Sequence, residues 1–371
     1  MPWQVSSAAK QRKKFVEEME RGELGMALLC RRYGISRPTG YKWRERYGEA
    51  GAEGLEDRSR VPKTFPRAIS ADVEEQLLQL RRSHSHWGPR KLRAWLERKK
   101  PGRKWPVAST IGALLKREGL VVPRRKRRRA PPYTEPLGHA DGPNRVWCAD
   151  MKGWFRTGDG ERCDPLTITD ACTRYLLRCQ AVKEADTEHL RAVFEAAFRE
   201  YGLPVAIRTD NGAPFASRAL GGLSRLSVWW IKLGIAPERI RPGKPQENGR
   251  HERMHRTLKA ETANPPAWNR RRQQEAFDRF RREYNEERPH EALGQETPAS
   301  VYQPSGRLYP DRLPGIGYPA AFEVRKVQQH GQVQWKNQEV FVSEVLAGES
   351  VGFEPIAEGL WGVYFAALLS G

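Results

Sequence analysis

Two carboxylates in the middle of the chain each close an apolar run. Asp150 ends Val146-Trp147-Cys148-Ala149, and Asp210 ends Val205-Ala206-Ile207-Arg208-Thr209, just before Asn211-Gly212. Two further acids, Glu247 and Glu252, lie 37 and 42 positions after Asp210. From Glu252 the pattern is helical, with Arg256 and Lys259 at i+4 and i+7, so the three side chains share one stripe. Strand ends and a facing helix hold side chains rigidly, and metal-binding acids belong there. Hard carboxylate oxygens suit a pair of divalent ions about 3.5–4 Å apart, one activating an attacking oxygen and the other stabilising a leaving one. That is phosphoryl-transfer chemistry, and a cationic stripe beside it is placed to hold nucleic-acid phosphate. The residues alone leave the third acid open between Glu247 and Glu252.

The elements that must position these acids are legible around them. Strands are expected at 146–152, 165–170, 175–179 and 205–210, with a helix at about 187–200 burying Leu190, Val193, Phe194, Ala197 and Phe198. Three strands, then helix, strand and helix predict an α/β core of the RNase H-like type, a mixed sheet flanked by helices. The Asp-Asn-Gly turn leaves an open backbone beside Asp210. Asp164, Asp170 and Asp186 read as turn or helix-cap residues, and Trp229-Trp230 as core. His251 and His255 read as phosphate or structural contacts rather than zinc ligands. Residues 268–287 form one long helix with Phe277, Phe280 and Tyr284 inward and arginines outward.

The rest of the chain is strongly basic. Lys+Arg is 65 against Asp+Glu 45 over 371 residues, a formal net charge of +20. Such an excess calls for a polyanionic partner, nucleic acid first. No apolar run approaches the roughly 20 residues of a membrane span, and the N-terminus carries no apolar signal segment. A soluble, cytosolic protein is expected. Five cysteines (Cys30, Cys148, Cys163, Cys172, Cys179) without a Cys-x-x-Cys exclude a disulfide framework or zinc ribbon.

A helix at 8–22, a short one ending at Gly34, and a third capped by Ser36 with Pro38 in its first turn resemble a helix-turn-helix. Ser36, Arg37, Thr39, Gly40, Lys42 and Trp43 then lie on or near the recognition helix. A second helix-turn-helix, or winged-helix-like module, follows from Ala71; His84 and His86 lack the cysteine pair a zinc module needs. The run Arg124-Arg125-Lys126-Arg127-Arg128-Arg129, closed by prolines, is a linker suited to tracking phosphates. From Phe322 short runs with turn signals predict a small β-barrel, and the chain stops soon after the last run, so a strand could be missing. The expected domains are 1–60, 66–122, a basic linker 123–139, a catalytic core 140–305 and a β module 316–371.

Trp147-Cys148-Ala149-Asp150-Met151-Lys152-Gly153, Thr209-Asp210-Asn211-Gly212, Pro245 to Glu252 with Arg256, Lys259 and Glu261, and Tyr284 to Leu293 with Thr297-Pro298-Ala299 occur in that order. As an ordered set they resemble the DDE transposases and integrases of the retroviral-integrase superfamily. More narrowly, they resemble an insertion-sequence transposase of the IS481 kind, related to the IS3 kind. The resemblance implies Glu252 as the third acid, three residues after Gly249 and nine before Glu261, with an insertion around Leu220–Leu233 absorbing the long spacing. It implies Asp150, Asp210 and Glu252 as catalytic ligands of two Mg²⁺ ions, Mn²⁺ being able to substitute. It also implies binding of terminal inverted repeats and target DNA, 3′-end cleavage, strand transfer by the freed 3′-OH, and a homodimer or larger synaptic complex. The C-terminal module would be SH3-like, and the location the bacterial cytoplasm at the nucleoid. DNA contact falls to Ser36, Arg37, Thr39, Lys42, Arg124, Arg125, Lys126, Arg127, Arg256 and Lys259. The alternatives are a catalytically inactive, domesticated helix-turn-helix regulator and a plain nuclease.

Overall fold

A computed structural model describes residues 7–58, 69–121, 140–217, 222–240, 249–366 and 368–369. Arg124, Arg125, Lys126, Arg127 and the alternative acid Glu247 lie outside the described residues. The chain divides into two units, Met1–Ile69 and Ser70–Gly371.

The first unit holds α1 (Ala8–Arg21), α2 (Met26–Arg32) and α3 (Arg37–Ala50). Ser36 caps α3 by accepting from the Thr39 amide at 3.4 Å, and Pro38 occupies the first turn, where a missing N–H costs nothing. Phe15, Val16, Leu29, Cys30, Trp43 and Leu55 form the core. Gly40 is fixed by close approach, since a Cβ there would sit 2.6 Å from Cys30 Sγ. Ser36, Arg37, Thr39, Gly40, Lys42 and Trp43 all lie on or at the start of α3; of these Gly40 and Trp43 face inward, and the Arg12 and Arg46 guanidinium groups cover the Trp43 ring at 4.1 and 4.7 Å. Ser36, Arg37 and Lys42 remain exposed and Thr39 is half-buried.

The second unit opens with α4 (Ala71–Ser83), α5 (Pro89–Lys99) and α6 (Ala108–Arg117), packed through Leu77, Leu92 and Ile111. No strand accompanies them among the described residues, so no wing is present there. The mixed sheet follows: β1 (Val146–Met151), β2 (Phe155–Arg156), β3 (Arg162–Asp170), β4 (Leu176–Val182), β5 (Ala206–Thr209) and β6 (Ala236–Arg239). Its order is β2-β3-β1-β5-β6, with β4 also on β3. β1 runs antiparallel to β3 and parallel to β5, and β5 runs parallel to β6.

The period of 2 along each strand sorts side chains to two faces. One face, with Trp147, Leu166, Ile168 and Ile207, packs on α7 (Thr187–Tyr201) and α8 (Arg225–Lys232) through Phe194, Phe198, Trp229 and Trp230. The other face is covered by α9 (Gly249–Thr262) and α10 (Arg270–Arg282) through Met254, Leu258, Phe277 and Phe280. The expectation of a core role for Trp229-Trp230 holds. Within the 220–233 stretch lies α8, a helix of the core itself.

Other expectations need correcting. Asp164 lies within β3, paired with Arg162 at 3.2 Å, not in a turn. The helix expected over 268–287 is α10 followed by a wider turn, Glu283–Glu287, in which Asn285 hydrogen-bonds both the Leu176 amide and carbonyl at 2.8 and 3.0 Å. Asp186 does cap α7, and buried Asp170 accepts from the Asn144 and Thr173 amides at 2.7 Å, closing the β3–β4 turn.

After α11 (Pro298–Val301) come β7 (Glu323–Lys326), β8 (Gln332–Trp335), β9 (Gln338–Phe341), β10 (Ser350–Ala357), β11 (Leu360–Phe365) and β12 (Leu368–Leu369). They make a four-stranded sheet, β12-β11-β10-β7, and a β8-β9 hairpin. Their core, with Val333, Trp335, Val351, Phe353 and Phe365, is continuous with Leu223, Val228 and Ile231 beside and on α8. None of the five cysteines forms a disulfide. Among the described residues no helix is long and apolar enough to cross a membrane.

Candidate active site

The parallel register of β1 and β5 sets the site. Val146, Trp147 and Cys148 pair with Ala206, Ile207 and Arg208. The ladder ends at the Cys148–Arg208 pair, and the two strands lead from it to Asp150, within β1, and to Asp210, just past β5, at the same end of the sheet. Trp147 and Ile207 occupy the α7–α8 face; alternation turns Asp150, within β1, to the α9 face. Asp210 stands one residue beyond β5. Its Oδ1 accepts from the Gly212 amide at 3.1 Å, and Asn211 Nδ2 donates to the Ile240 carbonyl at 2.9 Å. A Cβ on Gly212 would press to 3.2 Å from Asp210 Oδ2, so glycine keeps that carboxylate open. Beside it, Arg208 pairs with Glu238 of β6 at 2.7 Å.

α9 lies over this end of the sheet with two unlike faces. His251, Met254, His255 and Leu258 are buried; Glu252, Arg256 and Lys259 are exposed. At about 100° per residue the exposed stripe begins roughly 60° round the helix from His255. His255 in turn meets the sheet at Asp150, its Nδ1 lying 3.8 Å from Asp150 Oδ2.

Both imidazoles rest on threonines of β3. His251 Nε2 and His255 Nε2 each lie 2.6 Å from Thr167 Oγ1, and His251 Nδ1 lies 3.1 Å from Thr169 Oγ1. Burial pushes His251 down to about 3; burial, with His251 and Lys152 nearby, pushes His255 down to about 2. Both rings are therefore neutral at physiological pH, and both rest on Thr167 of β3. Among the described residues, Asp150, His251 and His255 bring ligand atoms within 4.8 Å of one another. Asp210 and Glu252 do not complete such a group.

The far end of α9 is anchored. Glu261 pairs with Arg288 at 2.9 Å, both largely buried. Lys91 of α5 is held among Arg288, Arg253, Glu261 and Glu291, and burial first, then these arginines, push its ammonium down to about 7. His84 to Glu283 at 3.0 Å ties the second helical module to the turn after α10.

Two exposed aromatics escaped the sequence reading. Tyr41 is 52% exposed on α3, one turn from Arg37. Trp154 is 55% exposed after β1, with Arg162 and Arg156 guanidinium groups 5.3 and 5.9 Å from its ring. The signal that could have found them is an aromatic among cations. Near Trp154, Lys152, Phe155, Leu258, Lys259 and Thr262 line a cavity of about 150 Å³.

Residues 140–245 match the family model described as an integrase core domain, and residues 233–298 match a second integrase core domain model. Residues 39–115 match a homeodomain-like domain and residues 11–63 a helix-turn-helix domain. The chain is 28% identical over 226 residues to the insertion element IS407 uncharacterized 31.7 kDa protein of Burkholderia multivorans, covering 60% of this chain and 78% of that protein. It is 27% identical over 163 residues to the transposase for insertion sequence element IS904 of Lactococcus lactis subsp. lactis, covering 43% and 61%. A chain of the simian T-cell lymphotropic virus intasome in complex with PP2A regulatory subunit B56 gamma is 17% identical, with a TM-score of 0.39, covering 79% of this chain and 98% of that one.

Proposed function

We infer that this chain, a DDE transposase of insertion elements with an integrase core, binds the terminal inverted repeats of its element, cleaves their 3′ ends and joins them to target DNA. The observation that supports this site assignment is the parallel ladder of β1 and β5, with Cys148 opposite Arg208, whose strands lead to Asp150 and to Asp210 at the same end of the sheet. Glu252, on the exposed stripe of α9, is the third acid. The donor set fits divalent ions: hard oxygens on rigid elements, two of them on neighbouring strands. Asp150, Asp210 and Glu252 would hold two Mg²⁺, with Mn²⁺ able to replace them; when bound, the ions activate the attacking oxygen and neutralise charge on the leaving one.

The chain's own residues do the rest. Arg256 and Lys259 hold the phosphates beside the acids, where each neutralised phosphate adds to affinity and to salt dependence. α3, through Ser36, Arg37, Thr39 and Lys42, reads the element end, and Arg124, Arg125, Lys126 and Arg127 track the backbone. No side chain is needed as a covalent nucleophile, because water and then the freed 3′-OH serve in turn. Joining two ends together implies a dimer or larger synapse. A location at the nucleoid follows from that substrate.

The test is incubation of labelled inverted-repeat DNA with Mg²⁺, comparing wild type, Glu252→Gln and Glu247→Gln. Loss of nicking and joining in Glu252→Gln alone is expected. Loss in Glu247→Gln alone overturns the triad. Binding of the ends by wild type without nicking would favour a regulator.

A further inference from the structure

Thr167 is the residue around which the buried side of the site is built. Its hydroxyl has three neighbours: the Asp150 carbonyl at 3.2 Å and the Nε2 atoms of His251 and His255 at 2.6 Å each. A hydroxyl has one proton to give and two lone pairs with which to accept. With that proton donated to the Asp150 carbonyl, both rings must donate to Thr167 through Nε2–H. A neutral imidazole carries only one N–H, so each Nδ1 is then a lone pair.

The two Nδ1 atoms meet different surroundings. His251 Nδ1 accepts from the Thr169 hydroxyl at 3.1 Å. His255 Nδ1 faces Asp150 Oδ2 across 3.8 Å, beyond hydrogen-bond length, and the residue is only 6% exposed. A buried lone pair aimed at a carboxylate is costly unless positive charge lies between them. The gap is wide enough for an ion bonded to each at about 2.0–2.2 Å.

We propose that His255, through Nδ1, is a ligand of the divalent ion held by Asp150. The proposal rests on the metal-dependent reading above and adds a nitrogen to its oxygen donors. His251 takes no part as a ligand, because both its nitrogens are used on β3. Thr167 is a positioning residue, fixing the tautomer that exposes Nδ1. One imidazole in the set moves preference from Mg²⁺ toward borderline ions such as Mn²⁺ and Co²⁺.

The experiment titrates Co²⁺ and Mg²⁺ into the full-length chain, wild type, Asp150→Asn, His255→Gln and Thr167→Val, by calorimetry and visible absorption. Glutamine keeps an amide near the Thr167 contact but places no donor at Nδ1. His255→Gln is expected to weaken Co²⁺ about tenfold or more, shift its absorption band and change Mg²⁺ affinity much less; Thr167→Val should weaken Co²⁺ by a smaller factor. Pulsed electron paramagnetic resonance of Mn²⁺-loaded wild type should show nitrogen coupling, a readout that needs no variant to fold. Unchanged Co²⁺ affinity and band in His255→Gln, or absent nitrogen coupling, overturns the proposal while leaving the carboxylate site standing. Binding that is the same in Asp150→Asn as in wild type overturns both.

Discussion

The two faces of α9 divide the labour of the site. The inner face, His251, Met254, His255 and Leu258, is buried against β3, β1 and α10 and decides where the helix lies. The outer stripe, Glu252, Arg256 and Lys259, is exposed, and in the function proposed above it carries the third acid and the phosphate contacts. A change at Met254 or Leu258 inside should register first as lost stability, and a change outside as lost chemistry with the fold intact, while His255 belongs to both.

The sharpest way to break that contrast is at the acids. Asp150→Asn and Glu252→Gln should each lower strand joining on the order of 10³-fold. Glu252→Gln should leave stability within about 0.5 kcal/mol of wild type, as an exposed substitution does. A drop in the thermal midpoint matching the lost activity would erase the distinction between the faces. On the inner side, Leu258→Ala should cost about 2–5 kcal/mol of stability by opening a cavity against Phe277 and Met254. Denaturant melts check this, and an unchanged midpoint would mean the inner face does not carry the packing.

Smaller effects refine the outer stripe and the anchored end. Arg256→Ala and Lys259→Ala should each reduce the slope of log affinity against log salt by about one, without changing which DNA ends are preferred. An unaltered slope would remove either residue from the phosphate contacts. A pH-dependent effect is expected at Lys91, whose ammonium is held down to about 7 against an ordinary value near 10.4. Between those values the unfolded chain keeps a proton that the folded one has released, so stability rises with pH across that window. Lys91→Met should flatten the rise. Melts at both ends of the window giving wild type and variant the same slope would rule it out.

How much of this the sequence displays depends on the kind of signal. β1 and β5 are apolar runs ending in Asp, so Asp150 and Asp210 are legible from residue order alone. β6 is not: Ala236-Pro237-Glu238-Arg239 has no strand character, and its proline is tolerated because the strand lies at the sheet edge. Gly40 and Trp43 look like recognition-helix residues in the sequence because position on a helix does not tell which face meets its neighbours. The histidines of α9 are ambiguous there for a related reason. Their role depends on Thr167 and Thr169, more than 80 residues earlier in the chain, and only the fold brings them together.

α8 has a consequence for how such a chain can change through descent. Leu226, Trp229 and Trp230 fill the catalytic core, while Val228 and Ile231 belong to the C-terminal module's interior, and Lys232 is bonded to Glu349 at 2.7 Å. One eight-residue helix is thus a party wall between two rooms. A gene shortened just before the terminal strands would lay bare the back of that wall, leaving an adhesive surface on the catalytic core. Exchange of the tail has to bring matching substitutions in α8 with it.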